Sequence, residues 1–524
     1  MRPLYSDSSA PRQPQLDPTP GETTPLIAKM AKDVDETRVI QHGHAEASAI
    51  TDAETAKADE HEMAIPVIDD AWLAVEKRLR RKLDLTLMPI IWVLYLFNYL
   101  DRNNIAQAKL DTFEADLGLK GENFNTAVSI LNVGYMLMQL PSNMLLTRVR
   151  PSLYIPFWVC AWSCISASTA ATHSYSGLIA VRFFLGVSEA PFGPGAFFLL
   201  SCWYTRKELA LRTAILYSGI SLATSFSGLL AAGIYSGLTG VHGVSGWRWL
   251  FIIEGVASFG FGVMAMFLLP DFPASESGSA TWLLTKEERQ VAIERMARDQ
   301  VSNQESNNSL WYGLQIAVKD YRVWVFAFIL CCNHTAYGFN NFYPTIVKGF
   351  NLGSRTITLL CTAPPYLVGA IFSLLVAYSS DIRNERGWHI SLPMMMSAVG
   401  FIISAATLNV PARYFASFLY ISGAFSGNAI LFGWAASSVS QTPEKRACAT
   451  AIINIFGQFG NIWSPYFFSP GDAPRYVKAM ILMVAFSLAS VLGCMLMKWT
   501  LRRDNKKLIE RFAGSGTSPN LYTL

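Results

Sequence analysis

The sequence predicts an all-α membrane protein of twelve transmembrane helices arranged as two six-helix bundles. Three observations predict it. Only 15% of the 524 residues are charged and 51% are hydrophobic, with a mean hydropathy of +0.27, whereas a soluble domain carries about 25% charge. Twelve apolar segments are long enough to cross a hydrocarbon core as helices. A polar stretch over 270–321 divides them six and six. The chain then reads as a disordered cytosolic tail with a basic end (1–83), a first bundle (84–269), a cytosolic linker holding a short helix (270–321), a second bundle (322–500) and a short cytosolic tail (501–524).

The tail over 1–70 is polar, with scattered Pro, Ser, Thr, Asp and Glu, and cannot build a core. Within it, Glu22 followed by Leu26 and Ile27 has the shape of an acidic dileucine sorting signal, a pattern that also arises by chance. The first apolar run begins near Leu85, so no signal peptide is expected. Lys77, Arg78, Arg80, Arg81 and Lys82 directly before it place the N-terminus in the cytosol. An amphipathic collar on the membrane surface would give the same orientation.

The spans are expected at about 84–106, 125–147, 152–172, 175–200, 211–236, 247–269, 322–346, 355–379, 388–409, 412–437, 447–469 and 475–500. An even number returns the C-terminus to the cytosol, in agreement with Arg502, Arg503, Lys506 and Lys507 after the last span. The short loops discriminate less well, because Lys109, Lys120, Lys348, Arg355, Arg413, Arg475 and Lys478 fall on the outer side. In the linker, Thr285 and Glu288 have capping-box spacing and predict a helix start. The sequon at Asn307 faces the cytosol in this topology and should stay unmodified. Small residues recur along the fifth span, a pattern that lets helices approach closely.

The fourth span, YSGLIAVRFFLGVSEAPFGPGAFFLL over 175–200, carries Arg182 and Glu189. Each charge near a bilayer centre costs about 2.5–3.5 kcal/mol. Arg182, Gly186 and Glu189 share a helix face, and Pro191, Gly193, Pro194 and Gly195 loosen the backbone behind them. Freed carbonyls must be satisfied inside protein or a watered cavity. Such a face suits the lining of a polar path; alternatively, the pair is an ion pair that only ties two helices together.

Three local matches share one offset. Asn103-Asn104 and Asn340-Asn341, Gly186 and Gly423, and Thr213-Ala214-Ile215 and Thr450-Ala451-Ile452 each lie 237 residues apart. The common offset supports two parallel halves related by an axis along the membrane normal. At this offset Asp101 and Arg102 become Gly338 and Phe339, and Arg182 and Glu189 become Leu419 and Ser426. The intramembrane charges therefore belong to the first half. The second half offers neutral polar groups: Asn340, Asn341, Asn454, Gln458 and Asn461.

The first span ends with Tyr99, Asp101, Arg102, Asn103 and Asn104, and Tyr95, Tyr99 and Arg102 fall near one face. Arginine suits a carboxylate because its planar fork donates two parallel bonds. A buried carboxyl group can exchange protons near neutral pH. Two acids and two arginines in one cavity predict a proton-coupled anion carrier, with Arg102, Arg182 and Tyr99 holding the anion, Asp101 and Glu189 exchanging protons, and Asn340, Asn454 and Gln458 completing the substrate site. An anion's ring would stack on Tyr95, Tyr99, Phe339 or Tyr343. His334, the lone histidine deep in an apolar segment, is either a proton relay or a packed core residue.

Other classes are disfavoured. The net charge of +4 is spread over tails and loops without a basic stripe, so no nucleic-acid partner is expected. The eight cysteines sit mostly in apolar segments without metal-ligand spacing, so neither metal nor cofactor is expected. No G-x-S-x-G, HExxH or Walker loop suggests an enzyme. With no nucleotide cradle, transport would draw on an ion gradient.

The chain resembles the major facilitator superfamily, and within it the anion:cation symporter family, especially its fungal allantoate-permease-like branch. The residues carrying the resemblance are NYLDRNNIAQA (98–108), RFFLGVSEAPFGPGAFFLLSCWYTRKELALRTA (182–214), GWRWLFIIEG (246–255), APPY (363–366) and NIFGQFGNIWSP (454–465). The resemblance implies two bundles, alternating access, and import of small organic anions such as allantoate, nicotinate, pantothenate or biotin with protons. It implies coupling and binding roles for Asp101, Arg102, Arg182 and Glu189. The loop PSNMLLTRVRPSLY (141–154) departs from the superfamily's G-x-x-x-D-R-x-G-R-[RK] pattern, so Arg148 and Arg150 receive no gating role; Asp381 and Arg383 after the eighth span are the better gate residues. The expectation is a monomeric importer of a small, vitamin-like carboxylate, at the plasma membrane or alternatively the vacuolar membrane. An exporter of an acidic metabolite and a non-transporting nutrient sensor are the competing readings.

Overall fold

Why the chain forms helices follows from the bilayer: in hydrocarbon, each backbone N–H and C=O must be satisfied within its own segment. The computed structural model describes residues 69–146, 149–275, 277–299, 310–439, 443–512 and 521–524. The dileucine-like run, Arg148 and the Asn307 sequon lie outside the described residues.

The first half comprises α1 (Asp70–Ala108), α2 (Asn123–Leu146), α3 (Pro151–Ser168), α4 (Tyr175–Glu189), α5 (Phe192–Trp203), α6 (Arg206–Leu238) and α7 (Gly246–Leu268). The linker contributes α8 (Lys286–Asp299) and α9 (Leu310–Lys319). The second half comprises α10 (Tyr321–Ala336), α11 (Ala363–Arg383), α12 (Gly387–Ala406), α13 (Val410–Ser438), α14 (Pro443–Trp463) and α15 (Val477–Phe512).

A helix lies over each of the twelve expected spans, with α4 and α5 sharing the fourth. Among the described residues, nine spans are long and apolar enough to cross a membrane on their own account. The second, seventh and eleventh fall short for visible reasons. α2 carries Asn125, Asn132 and Gln139, and α14 carries Asn454, Gln458 and Asn461. The seventh breaks after Ala336 into a 3-10 turn (Gly338–Asn341) and a short helix (Tyr343–Lys348).

Two boundaries differ from the sequence expectation. α1 begins at Asp70, inside the segment assigned to the N-terminal tail, with Asp69 capping it by accepting from the Trp72 amide at 2.7 Å. The basic residues 77–82 thus ride on the helix, and α8 docks against them. Thr285 and Glu288 form the capping box, with reciprocal bonds of 2.9 and 3.2 Å. Glu288 then pairs with Lys82 at 2.7 Å. Burial of Glu288 raises its pKa, but the bonds from Lys82 and the Thr285 amide outweigh that and leave it below the usual range. Arg295 pairs with Glu208 at 2.9 Å and Trp72 donates to Glu294 at 2.9 Å. The linker helix is therefore bolted to the first half. At the other end, α15 continues to Phe512, so Arg502 to Lys507 are helical.

The offset of 237 residues has direct structural meaning at one place: Asn340 donates to its repeat mate Asn103 at 3.2 Å. Gly186 and Gly423 both sit at tight helix crossings, but against different neighbours, Leu131 on α2 and Pro393 on α12. A Cβ on Gly186 would overlap the Leu131 carbonyl. Gly186→Ala is therefore expected to destabilise the detergent-solubilised protein by about 1–3 kcal/mol, read as a lowered melting temperature. Gly433→Ala, whose added Cβ meets nothing within 4 Å, serves as the unaffected control.

Candidate functional site

Adjacent helical residues point about 100° apart, and this divides the four predicted charges into two groups. Arg102 leaves α1 towards α4, where its Nε donates to Glu189 Oε2 at 2.5 Å. Asp101 turns into the bundle, fully buried, and accepts from Ser166 Oγ on α3 at 2.7 Å and Ser258 Oγ on α7 at 3.1 Å. The single four-charge cavity expected from the sequence is thus an ion pair on one side of α1 and a hydroxyl-bound acid on the other.

Arg182 stays beside the pair. It is 2% exposed, its Nε reaches the Ala127 carbonyl at 3.4 Å, and its Nη1 is buried without a partner. Glu189 Oε1 is also unpartnered. Two guanidinium groups and one carboxylate stand on this side of α1, and Asp101 acts on Arg182 electrostatically from the other. The guanidinium of Arg102 keeps 19% of its side chain accessible. It is flanked by the rings of Tyr135 at 4.6 Å and Tyr99 at 5.5 Å. Tyr99 in turn meets Tyr95 edge-on at 5.3 Å. A cation between aromatic faces in a low-dielectric site can hold an anion bearing a flat ring.

The other ring candidates stand elsewhere. Phe339 packs against Phe401 and Tyr420, and Tyr343 bonds Ser417; both are fully buried core residues of the second half. Asn340 accepts from Tyr366 at 2.8 Å besides reaching Asn103, and so belongs to the seam between the halves. Gln458 accepts from Asn461 at 2.9 Å, and Asn454 lies half-buried one turn earlier on α14. His334 meets the Gly457 carbonyl at 3.0 Å. Asp381 is exposed and pairs with Arg386 at 2.5 Å, while Arg383 lies exposed at the end of α11. Tyr135 was absent from the sequence-predicted site: a lone tyrosine in an apolar run carries no signal until α2 is docked beside Arg102.

The hydrogen bonds that join the two halves lie, among the described residues, towards the end of the bundles where α1 finishes and α2 begins. Ser129 donates to the Ile462 carbonyl at 2.7 Å, Asn132 to the Asn461 carbonyl at 3.3 Å and Tyr466 to Thr126 at 3.2 Å. One ion pair reinforces them: Arg355 binds Asp111, lies over the Tyr235 ring at 4.7 Å and reaches Thr239 at 3.3 Å. At this end the seam is closed.

Comparison with known proteins supplies the context. The family model described as Major Facilitator Superfamily matches residues 91–465. The chain is 35% identical to the MFS-type transporter cnsO of Penicillium expansum, over 83% of this chain and 85% of the relative. It is 32% identical to the major facilitator-type transporter hxnP of Emericella nidulans, over 82% and 87%. It is 29% identical to the high-affinity nicotinic acid transporter of Saccharomyces cerevisiae, over 87% and 84%. Among solved structures, a bacterial homologue of the human lysosomal transporter Spinster, inward-facing and unoccupied, matches with a TM-score of 0.63 at 16% identity, covering 80% of this chain and 97% of that one. At that identity the likeness speaks for the fold alone.

The Arg355–Asp111 pair offers a test of the closed seam. A partly exposed pair contributes about 1 kcal/mol, so Arg355→Ala should raise the outward-accessible population about fivefold. The readout is the rate at which an impermeant thiol reagent modifies Ser129→Cys in a background lacking the native cysteines. An unchanged rate would mean that the pair does not hold the seam.

Proposed function

The chain belongs to the major facilitator superfamily and is a secondary transporter in a membrane rather than an enzyme, and from that premise we propose that it imports a small organic carboxylate together with protons by alternating access. The observation that carries the reading is the buried Arg182: Arg102 takes the carboxylate of Glu189, while Arg182 Nη1 has no hydrogen-bond partner. A buried cation with an unused donor calls for an anion.

The geometry suggests how proton and anion are coupled. Ionised Glu189 occupies Arg102 and competes with a substrate carboxylate for it. When Glu189 takes a proton, its charge is lost and Arg102 is freed to donate to the substrate. Arg182 supplies the second guanidinium, and Tyr99 and Tyr135 flank a ring. Proton and anion therefore favour each other's binding. Asp101 holds a further proton behind α1. Asn340, Asn454 and Gln458 close on the substrate from the second half, and Asp381 and Arg383 serve the cytosolic gate.

A heteroaromatic monocarboxylate fits this site best: the aromatic flanks support it, and so does the similarity to a protein named for nicotinic acid. We assign the transporter to the plasma membrane, with the vacuolar membrane as the alternative that a fluorescent fusion tests.

Uptake of labelled nicotinate and related carboxylates into cells lacking their own permeases should be stronger at acid than at neutral external pH. Efflux without uptake would make the protein an exporter instead. Arg102→Ala or Arg182→Ala should each weaken substrate binding by about 2–5 kcal/mol, roughly 30-fold or more. Glu189→Gln mimics the protonated acid and should flatten the pH dependence; an unaltered dependence would remove Glu189 from the coupling.

A further inference from the structure

We infer that Glu254 is a second proton-holding acid on the inner face of the first bundle, exchanging its proton with Asp101; the inference rests on the proton-coupled reading above. Nothing in the local sequence GWRWLFIIEG marks this glutamate as more than one polar residue near the start of an apolar helix. The structure gives it a specific address. Glu254 is 1% exposed on α7, and neither carboxyl oxygen has a hydrogen-bond partner of good geometry. Asn104 of α1 faces it, fully buried, with both polar atoms of its amide likewise unpartnered.

The placement forms two rungs between antiparallel helices. Ser258, one turn from Glu254, donates to Asp101 at 3.1 Å. Asn104, one turn from Asp101, stands opposite Glu254. The titratable groups that face Glu254 are Asp101 from α1 and Tyr235 from α6, whose hydroxyl is also buried and unpartnered. On the α3 side, Gly255 abuts Ala167 and the Ser163 carbonyl, which bring no charge. Among the described residues no salt bridge reaches Glu254 or Asp101, though Arg182 and Glu189 of α4 lie within electrostatic reach of Asp101.

An ionised carboxylate with no cation beside it and only the Asn104 amide as donor is not a stable occupant of such a site. A neutral acid is. Protonated, Glu254 presents one O–H donor and one acceptor oxygen, the complement of the Asn104 amide. Two acids facing each other without a cation cannot both ionise. The step is then a proton shift: the O–H bond at one carboxyl breaks, an O–H bond forms at the other, and the negative charge passes in the opposite direction. This keeps the proton path behind α1, apart from the arginine pair that holds the anion.

The test is infrared spectroscopy of the full chain in lipid nanodiscs across a pH titration, paired with uptake of labelled nicotinate. The carbonyl stretch of a protonated carboxylic acid should vanish in Glu254→Gln, and its titration should shift in Asp101→Asn. Acid-stimulated accumulation should be lost in Glu254→Gln and restored in Glu254→Asp, which keeps an ionisable group in place. A carbonyl stretch unchanged by Glu254→Gln, or a variant with the pH profile of the wild type, overturns the inference. If the wild type itself shows no acid-stimulated uptake, the coupled-import reading fails, and the infrared result alone decides whether Glu254 holds a proton.

Discussion

A charge inside a bilayer-spanning helix has to be compensated where it stands, and the 2.5 Å pair between Arg102 and Glu189 is where this protein does so. The pair fixes the azimuth of α1. With Arg102 aimed at α4, Asp101 must face α3 and α7, and Ser166 and Ser258 are there to receive it. The close approach of α2 and α4 at Gly186 holds Arg182 beside the same carboxylate. Orientation of the helices, separation of the acids and the place of Arg182 all follow from one bond.

The seam between the halves is built on a different principle. Among the described residues, apart from Arg355–Asp111 and Lys109 over the Phe342 ring, it is joined through neutral groups: Asn103, Asn340, Ser129, Asn132, Thr126 and Tyr466. Neutral hydrogen bonds contribute about 1 kcal/mol net, and several of these end on backbone carbonyls at helix ends. A surface of this kind can close firmly and still part, which alternating access requires. A seam of buried ion pairs would cost several kcal/mol for each partner left exposed to hydrocarbon.

Much of this was legible in the sequence because it depends on local chemistry or periodicity. The spans came from length and apolarity, and the linker helix from Thr285 and Glu288. The shared offset marked Asn103 and Asn340 as repeat mates, and the structure shows that they also touch. What the sequence could not give depends on which neighbour a side chain meets. Asp101 and Arg102 are adjacent in the chain and on different sides of a helix, and only the packing of α3, α4 and α7 assigns each its partner. Four of the seven cations that blurred the topology have the same explanation. Arg355 binds Asp111, Lys109 lies over Phe124, Arg413 donates to the Pro474 carbonyl and Arg475 to the Ala405 carbonyl. Their charges are engaged in tertiary contacts, so they weigh little on orientation.

The separation of the two acids has a consequence for coupling. In the proposed mechanism Glu189 shares its cation with the substrate, so its protonation is tied directly to anion binding. Asp101 is held by the Ser166 and Ser258 hydroxyls with the Trp162 indole nearby, so its protonation is tied to the packing of α1 against α3 and α7. One acid can sense the ligand, and the other can sense the arrangement of the bundle. A transporter needs both kinds of information: proton and anion must bind together, and the loaded state must be the one that reorients. The separation is one of hydrogen-bond partners and not of charge, because Asp101 still responds to Glu189 and Arg182 responds to both acids. Placing α1 between them lets a rigid helix carry the signal from one side to the other.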